Sequence, residues 1–189
     1  VLREMGVEFK CGVEVGKDIT IQQLREEGCQ AFYVAVGLQQ ASKLNIAGED
    51  LTGVKSGLDF LREVNAGKLK KLTGDVVVIG GGPAGMAAAL AAHNAGAHVA
   101  IVEREQHLGG ILRQCIHPGF GLSHFKQELT GPEYAQRFID QVHATDIALF
   151  LNSMVIGIDS SEGEAEIKKA MLSCSESATV SYTHLRAHE

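Results

Sequence analysis

Residues 75–85 read Asp75-Val-Val-Val-Ile79 followed by Gly80-Gly-Gly-Pro-Ala-Gly85. The short apolar run, bounded by glycines, predicts a buried strand. Proline is favoured in the first turn of a helix, because the N–H that it lacks would have no partner there. We therefore predict that Pro83 opens a helix of small residues that runs to about Ala95. The stretch as a whole predicts a strand, a tight turn and a helix.

The glycines of this turn fit the pattern G-x-G-x-x-G. In that pattern Gly80 permits the turn, Gly82 lets a diphosphate approach the backbone, and Gly85 lets the helix pack against the strand. The free N–H groups and positive dipole at the helix N-terminus favour an anion there. The alternative is that the glycines serve only packing. We predict a dinucleotide site formed by six residues: Gly80, Gly81, Gly82, Pro83, Ala84 and Gly85.

A second predicted strand, His98-Val-Ala-Ile-Val102, ends at Glu103. Glu103 follows Gly80 at the spacing at which a carboxylate reaches the adenosine ribose of a bound dinucleotide. A carboxylate accepts a hydrogen bond from a 2′-hydroxyl group and repels a 2′-phosphate group. Glu103 therefore favours FAD or NAD over NADP at this loop.

The pattern continues outward in both directions. A helix is predicted from Pro132 to about His143 and a third strand over 147–151, and on the other side the apolar run 31–36 predicts a buried strand that ends at Gly37. A helix capped by Asp18 is predicted before that run. Strands alternating with helices predict the α/β class: a Rossmann-like parallel sheet with crossover helices.

Composition excludes several classes of protein. The chain has 189 residues, 45% of them hydrophobic, and a net charge of −6 with no basic stripe, which argues against a nucleic-acid partner. No apolar run is long enough to span a membrane. The four cysteines form no C-x-x-C pair, so no metal site is predicted and a reducing, cytoplasmic location is expected. Because the chain begins at Val1 and not at a methionine, we expect a fragment or a processed product.

Residues 73–158 resemble the FAD-binding segment of FAD/NAD(P)-dependent oxidoreductases, the flavoproteins that bind two dinucleotides. The resemblance is carried by the glycine loop, the small-residue helix, Glu103 and the run Leu108-Gly109-Gly110. It implies bound FAD with NAD(P)H as electron donor. It also implies cofactor contacts at Glu103, Arg104, Gly109 and Gly110, and a flavin that extends toward residues 109–121.

Residues 1–72 resemble the glutamate synthase small-subunit type of flavoprotein. The matching motifs include Val15-Gly-Lys-Asp-Ile-Thr20, Ile46-Ala-Gly-Glu-Asp50 and Gly57-Leu-Asp-Phe-Leu61. The resemblance implies that Ala35-Val-Gly37 closes over the flavin nucleotide, so Ala35 and Gly37 join the predicted cofactor site. It also implies a larger catalytic subunit as a partner, besides the small-molecule substrate.

The order of the two segments is unusual, because the glutamate synthase type would place an NADPH-binding loop after residue 72. A natural rearrangement and a join of two genes within 76–82 both explain it, and we favour the join. Residues 180–189, from Val180-Ser-Tyr-Thr-His-Leu185 onward, resemble the translated end of a transposon used in sequencing libraries. Residues 159–189 are therefore predicted to be a disordered or artefactual tail.

Cys115 and His117 are weak candidates for catalytic residues. A thiol beside a flavin can pass electrons or attack a substrate. No second cysteine lies near Cys115 to form a redox pair, and a residue that only packs explains it better. No G-x-S-x-G, H-E-x-x-H or Walker lysine is present, so hydrolase and metalloprotease functions lack support.

The predicted function is therefore an oxidoreductase fragment that passes electrons from NAD(P)H to a second substrate through FAD, and the fragment is expected to be catalytically incomplete. Three alternatives stay open. One is an electron-transfer protein like the glutamate synthase small subunit. Another is a non-redox module that uses the loop to sense or hold NAD. The last is a composite of two genes that binds a dinucleotide without catalysis.

Overall fold

The structure, a computed structural model, describes residues 2–37, 40–69, 71–161, 164–171 and 179–181. The chain divides into two compact units, Val1–Gln39 and Gln40–Glu189. This division falls before the boundary predicted between residues 72 and 73. Residues 40–69 thus belong to the same compact unit as the glycine loop.

The first unit contains one short helix, α1 (Ile21–Glu26), among its described residues. Its N-cap is Thr20, whose hydroxyl group accepts from the Gln23 N–H, and not Asp18 as predicted. Asp18 instead accepts from the Glu14 N–H. The shift follows from the sequence Thr20-Ile-Gln-Gln23, which completes a capping box that Asp18 cannot form.

The predicted strand over residues 31–36 is not observed. These residues are irregular, and Tyr33 is 95% exposed. Strands form only when a neighbour pairs with their backbone. Apolar composition alone does not supply such a neighbour, and five of these six residues are exposed.

The second unit contains the remaining elements. The helices are α2 (Gly57–Asn65), α3 (Pro83–Asn94) and α4 (Gly131–His143), with a 3₁₀-helix at Gly110–Gln114. The strands are β1 (Asp75–Ile79), β2 (His98–Val102), β3 (Pro118–Phe120), β4 (Leu129–Thr130), β5 (Ala148–Phe150), β6 (Ser153–Ser161), β7 (Glu164–Met171) and β8 (Thr179–Ser181).

Strands β1, β2 and β5 form a parallel sheet in the order β1-β2-β5. Val77 pairs with Ala100, and Ala100 in turn pairs with Ala148. Helix α3 connects β1 to β2, and α4 lies in the longer connection from β2 to β5, so the predicted α/β fold with a Rossmann-like parallel sheet and crossover helices is confirmed. The bounds of β1 and β2 agree with the prediction residue for residue.

Both faces of the sheet are covered, which explains the continuous apolar composition of its strands. On one face, Val76 and Val78 pack against a core that includes Met86 of α3 and Phe138 of α4. On the other face, Val77 packs in a second cluster of side chains that includes Ile46, Leu51, Val54, Val155 and Ile158. The small side chains of α3 let it approach the sheet closely.

The predicted disordered tail is corrected for its described residues. Strand β6 extends to Ser161 and pairs antiparallel with β7, which pairs with β8. Ser160 and Ser161 end β6 and Glu164 begins β7, so the polar composition of these residues does not indicate disorder. The sequence Glu164-Ala-Glu-Ile167 alternates polar and apolar residues, which is typical of a strand. Of the transposon-like residues 180–189, residues 182–189 lie outside the described residues.

A capping box begins α4. The Glu133 carboxylate accepts from the N–H and hydroxyl group of Thr130, both at 2.8 Å, and the Thr130 hydroxyl group accepts from the Glu133 N–H. The Thr130 backbone N–H is the main cause, and its hydroxyl group a second cause, of the lowered pKa of Glu133. Helix α4 is therefore stabilised by an ionised carboxylate at its N-terminus.

This lowered pKa predicts a pH-dependent effect of Glu133→Gln. A carboxyl group whose pKa is lower in the folded state stabilises the fold above the pKa of the unfolded state, and this stabilisation is lost as pH falls through the folded pKa. Thermal unfolding should show Glu133→Gln less stable than the wild type at neutral pH, with the gap closing as pH falls through the lowered pKa of Glu133. A gap that stays constant with pH would show that the charge of Glu133 is not involved.

Candidate functional site

The glycine loop lies at the carboxyl end of β1, between β1 and α3. Gly80 has φ +104°, a conformation that side chains other than glycine rarely adopt. Its N–H donates to the Val102 carbonyl oxygen at 2.8 Å, which continues the pairing of β1 with β2 past the end of the strand. In parallel α/β sheets, ligands bind at this carboxyl edge.

Gly85 provides the close packing of helix on strand. A Cβ at this position would collide with the carbonyl oxygen of Gly80 and would lie 3.5 Å from the Val78 side chain. The absence of a side chain therefore lets the first turn of α3 lie directly against the loop. This geometry fits the role predicted for Gly85.

Gly82 leaves an open space at the N-terminus of α3. It is the N-cap residue, and no side chain forms a capping hydrogen bond there. A Cβ on Gly82 would meet no atom within 4 Å among the described residues. Pro83 has no N–H, but the other first-turn N–H groups remain available to an anion, at the positive end of the helix dipole. Ala84, next in the loop, is exposed.

Glu103 lies beside the loop and is buried, with 7% of its surface exposed. One carboxylate oxygen, Oε2, accepts from the Gly81 N–H at 2.5 Å. The other, Oε1, accepts from the Glu105 N–H at 2.9 Å. The structure therefore brings Glu103 to the loop, as the spacing predicts. Its contact with a ribose stays a prediction, and the bond to Gly81 was not predicted.

Gly109 and Gly110 also contact the loop. Gly109 has φ +112°, and its N–H donates to the Gly81 carbonyl oxygen at 2.8 Å. A Cβ on Gly110 would lie 3.1 Å from Cα of Gly82. The buried Leu108 side chain covers Gly81 so closely that a Cβ there would collide with it. The double glycine thus packs on the loop, and contact with the cofactor stays a prediction.

The side chain of Arg104 forms an ion pair with the neighbouring residue Glu105. The Arg104 side chain is exposed, and it lies 3.2 Å from the exposed Glu105 carboxylate. An exposed ion pair of this kind contributes little to stability. The predicted contact between Arg104 and the cofactor stays a prediction.

Cys115 and His117 have separate partners. The half-buried Cys115 thiol donates to the Ile111 carbonyl oxygen at 3.4 Å. Nδ1 of the exposed His117 lies 2.9 Å from the Pro118 carbonyl oxygen, and its ring lies 5.3 Å from that of Phe120. These contacts show no pairing of the thiol with the imidazole, and a catalytic role for either residue stays a prediction.

Ala35 and Gly37 lie in the first compact unit, where Ala35 is exposed and Gly37 has φ +67°. Their predicted contact with the flavin nucleotide stays a prediction. Across the described residues, no group of three or more histidine, cysteine, aspartate or glutamate side chains is arranged to hold a metal ion. None of the helices in the described ranges has the length and hydropathy needed to cross a membrane.

Two protein families match the chain. The family described as pyridine nucleotide-disulphide oxidoreductase matches residues 3–118, and the family described as FAD dependent oxidoreductase matches residues 75–182. Each match spans more than half of the chain. The two matches overlap over residues 75–118, which contain the glycine loop, Glu103 and the double glycine.

Individual proteins are similar over shorter ranges. The beta subunit of an NADP(+)-dependent formate dehydrogenase from Moorella thermoacetica is 36% identical, over 57% of this chain and 15% of its own length. The small chain of a glutamate synthase [NADPH] from Halomonas elongata is 38% identical, over 46% of this chain and 20% of its own. A thioredoxin reductase structure from T. acidophilum is 28% identical, with a TM-score of 0.45, over 51% of this chain and 31% of its own. The chain therefore spans less than a third of each of these proteins.

Proposed function

This chain belongs to the pyridine nucleotide-disulphide oxidoreductase and FAD dependent oxidoreductase families, and on that premise we propose that residues 80–85 bind the diphosphate of FAD. The family membership confirms the predicted FAD and nicotinamide cofactors. The protein of which these residues are part would pass electrons from NAD(P)H to a second, small-molecule substrate through the flavin. The open space at Gly82, at an uncapped helix N-terminus, is the observation that supports the proposal most.

The residues present fit the adenosine diphosphate part of FAD. The diphosphate needs a backbone without side chains and donors without partners, and Gly82 with the first turn of α3 meets both needs. The ribose needs a hydrogen-bond acceptor beside the loop, and the carboxylate of Glu103 is one. Two of the roughly four acceptor positions of a carboxylate are used by backbone N–H groups, so others remain for a hydroxyl group.

The proposed roles of protein and cofactor are those found in cofactor enzymes in general. A bound flavin supplies the redox chemistry, and the protein binds and orients it. In this chain, Gly85 holds α3 against the loop and Gly80 forms the turn. The Gly109 N–H donates a hydrogen bond to the Gly81 carbonyl oxygen of the loop. These residues would hold the diphosphate in place.

The carboxylate of Glu103 predicts how the loop distinguishes nucleotides. A 2′-phosphate group would place negative charge next to a buried carboxylate, which costs free energy. We expect ADP-ribose to bind at least about tenfold more tightly than 2′-phospho-ADP-ribose, equivalent to about 1.4 kcal/mol. Calorimetric titration of the full chain with both compounds measures the ratio. Equal affinities, or tighter binding of the phosphorylated compound, would contradict this assignment of Glu103.

The proposed function is tested by adding FAD to the full chain and then a reduced nicotinamide. Binding should quench or shift flavin fluorescence and keep the flavin bands with the protein through gel filtration. Flavin that elutes separately, with no fluorescence change on titration, would contradict FAD binding. If FAD binds, loss of the flavin absorbance after addition of NADH or NADPH reports electron transfer to it.

The second candidate is an electron-transfer protein of the glutamate synthase small-chain type. The similarity to the Halomonas elongata small chain supports it, together with the motifs in residues 1–72. A larger catalytic subunit would then be the partner. Faster reduction of bound FAD by NADPH than by NADH would favour this candidate. Bound FAD that neither nucleotide reduces would favour the composite of two genes that binds a dinucleotide without catalysis.

A further inference from the structure

Gly81 is held by hydrogen bonds on both sides of its backbone. Its N–H donates to Oε2 of Glu103 at 2.5 Å, and its carbonyl oxygen accepts from the Gly109 N–H at 2.8 Å. The Leu108 side chain covers it. Gly81 is therefore buried on the protein side of the loop, while its neighbour Gly82 adjoins open space.

Glu103 is chemically matched to this arrangement. Two N–H donors, from Gly81 and Glu105, approach the two oxygens of one buried carboxylate. An ionised carboxylate is an acceptor at both oxygens, whereas a glutamine side chain has one acceptor oxygen and one donor NH₂ group. With glutamine at this position, one of the two N–H groups would face another donor. The site therefore requires the carboxylate for reasons that do not involve a ribose.

We propose that Glu103 is a positioning residue for the diphosphate site: its carboxylate holds the Gly81 peptide, so that Gly82 and the first turn of α3 present their N–H groups to the diphosphate. This inference rests on the proposed function of the loop and deepens it. It makes Glu103 necessary for ligands that carry a diphosphate and no ribose.

The proposal opposes what simple electrostatics predicts. A carboxylate near a diphosphate site repels the anion, so removing its charge should tighten anion binding by a few fold at a solvated site. If Glu103 instead holds the loop in its binding conformation, removing its charge disturbs the donors and weakens binding. Electrostatic repulsion therefore predicts tighter anion binding after removal of the Glu103 charge, and the positioning role predicts weaker binding.

The test is the binding of inorganic pyrophosphate to the full chain, its Glu103→Gln variant and its Glu105→Gln variant. Glu105→Gln is the matched control, because it removes one negative charge from the same segment while its backbone N–H still donates to Glu103. Loss of a charge-assisted hydrogen bond predicts pyrophosphate binding at least about tenfold weaker in Glu103→Gln. Glu105→Gln should bind as the wild type does, or slightly more tightly.

The possible results separate the inference from the proposed function. Unchanged or tighter pyrophosphate binding in Glu103→Gln, with FAD binding intact in the wild type, would overturn the positioning role and leave the proposed function standing. A wild-type chain that binds neither FAD nor pyrophosphate would overturn both. Weaker binding in Glu103→Gln but not in Glu105→Gln supports the positioning role, because loss of a ribose contact does not affect a ligand without ribose.

Amide hydrogen exchange in the wild type gives a second test that does not depend on how well the variant folds. The Gly81 amide should exchange at least about tenfold more slowly than the Gly82 and Ala84 amides, since it is buried and bonded to Glu103. Exchange of Gly81 as fast as that of Gly82 would show that the bond to Glu103 does not hold the loop, and would overturn the proposal.

Discussion

Replacing Gly82 by aspartate should abolish dinucleotide binding and at the same time stabilise the ligand-free protein. The backbone of Gly82, at φ −73° and ψ −178°, is extended and accessible to any residue. A Cβ there would meet no atom within 4 Å among the described residues, so the fold can accept a side chain at this position. It would occupy the space that we assign to the diphosphate and add a negative charge to it. We expect FAD affinity to fall by at least about a hundredfold, or roughly 2.7 kcal/mol.

The stabilisation follows from helix capping. Aspartate is a good N-cap residue, and Gly82 provides no side-chain cap for α3. Its oxygen can accept from a first-turn N–H, and its charge interacts favourably with the helix dipole, for a gain of about 0.5–1 kcal/mol. Thermal unfolding without ligand measures this gain.

Gly82→Asn is the matched control, because it caps the helix without adding charge. It should stabilise the apo protein slightly and weaken FAD binding less than aspartate does. Unchanged FAD affinity in Gly82→Asp would place the diphosphate elsewhere. A destabilised Gly82→Asp protein would mean that the space beside Gly82 is not open.

Replacing Gly85 by alanine should destabilise the protein, although the same change usually stabilises a helix. Alanine has a higher helix propensity than glycine, by about 1 kcal/mol. At Gly85 the added Cβ would collide with the Gly80 carbonyl oxygen, which is backbone and cannot rotate away. Moving the helix from the strand should cost more than the propensity gain, about 1–3 kcal/mol net. Chemical denaturation measures the loss.

Gly57→Ala is the control for this prediction. Gly57 is the first residue of α2, and a Cβ there would meet no atom within 4 Å among the described residues. We expect Gly57→Ala to be neutral or slightly stabilising. If Gly85→Ala also stabilised the protein, α3 would not lie against the loop as the structure shows.

The predictable part of the fold is the part encoded by local pattern. Strands β1 and β2 are short apolar runs, and a proline lies in the first turn of each of the helices α3 and α4. The bounds of these four elements therefore follow from the sequence almost without error. Glu103 was identified by its spacing from Gly80. That spacing reflects the length of one strand, helix and strand unit.

The contacts within the site could not be predicted in the same way. The bond from Gly81 to Glu103 joins residues 22 positions apart, and the bond from Gly109 to Gly81 spans a longer distance in sequence. Neither leaves a periodic pattern. The Leu108-Gly109-Gly110 run indicated that this segment belongs to the cofactor site, but only the structure shows that it packs on the glycine loop.

Two of the errors have a common cause, because a segment forms a strand only if another strand pairs with it. Residues 31–36 have the composition of a buried strand but are irregular, and most of them are exposed. Strand β7 has the charged composition of a linker, yet β6 pairs with it over most of its length. Composition reports burial, whereas pairing is decided by residues distant in sequence.

Binding of a dinucleotide diphosphate at the glycine loop is tested most directly by following backbone amide signals of the full chain during titration with FAD. We expect the largest chemical-shift changes on the amides of Gly82, Ala84 and Gly85, at the N-terminus of α3. Changes confined to other parts of the chain, or no changes at saturating FAD, would contradict it.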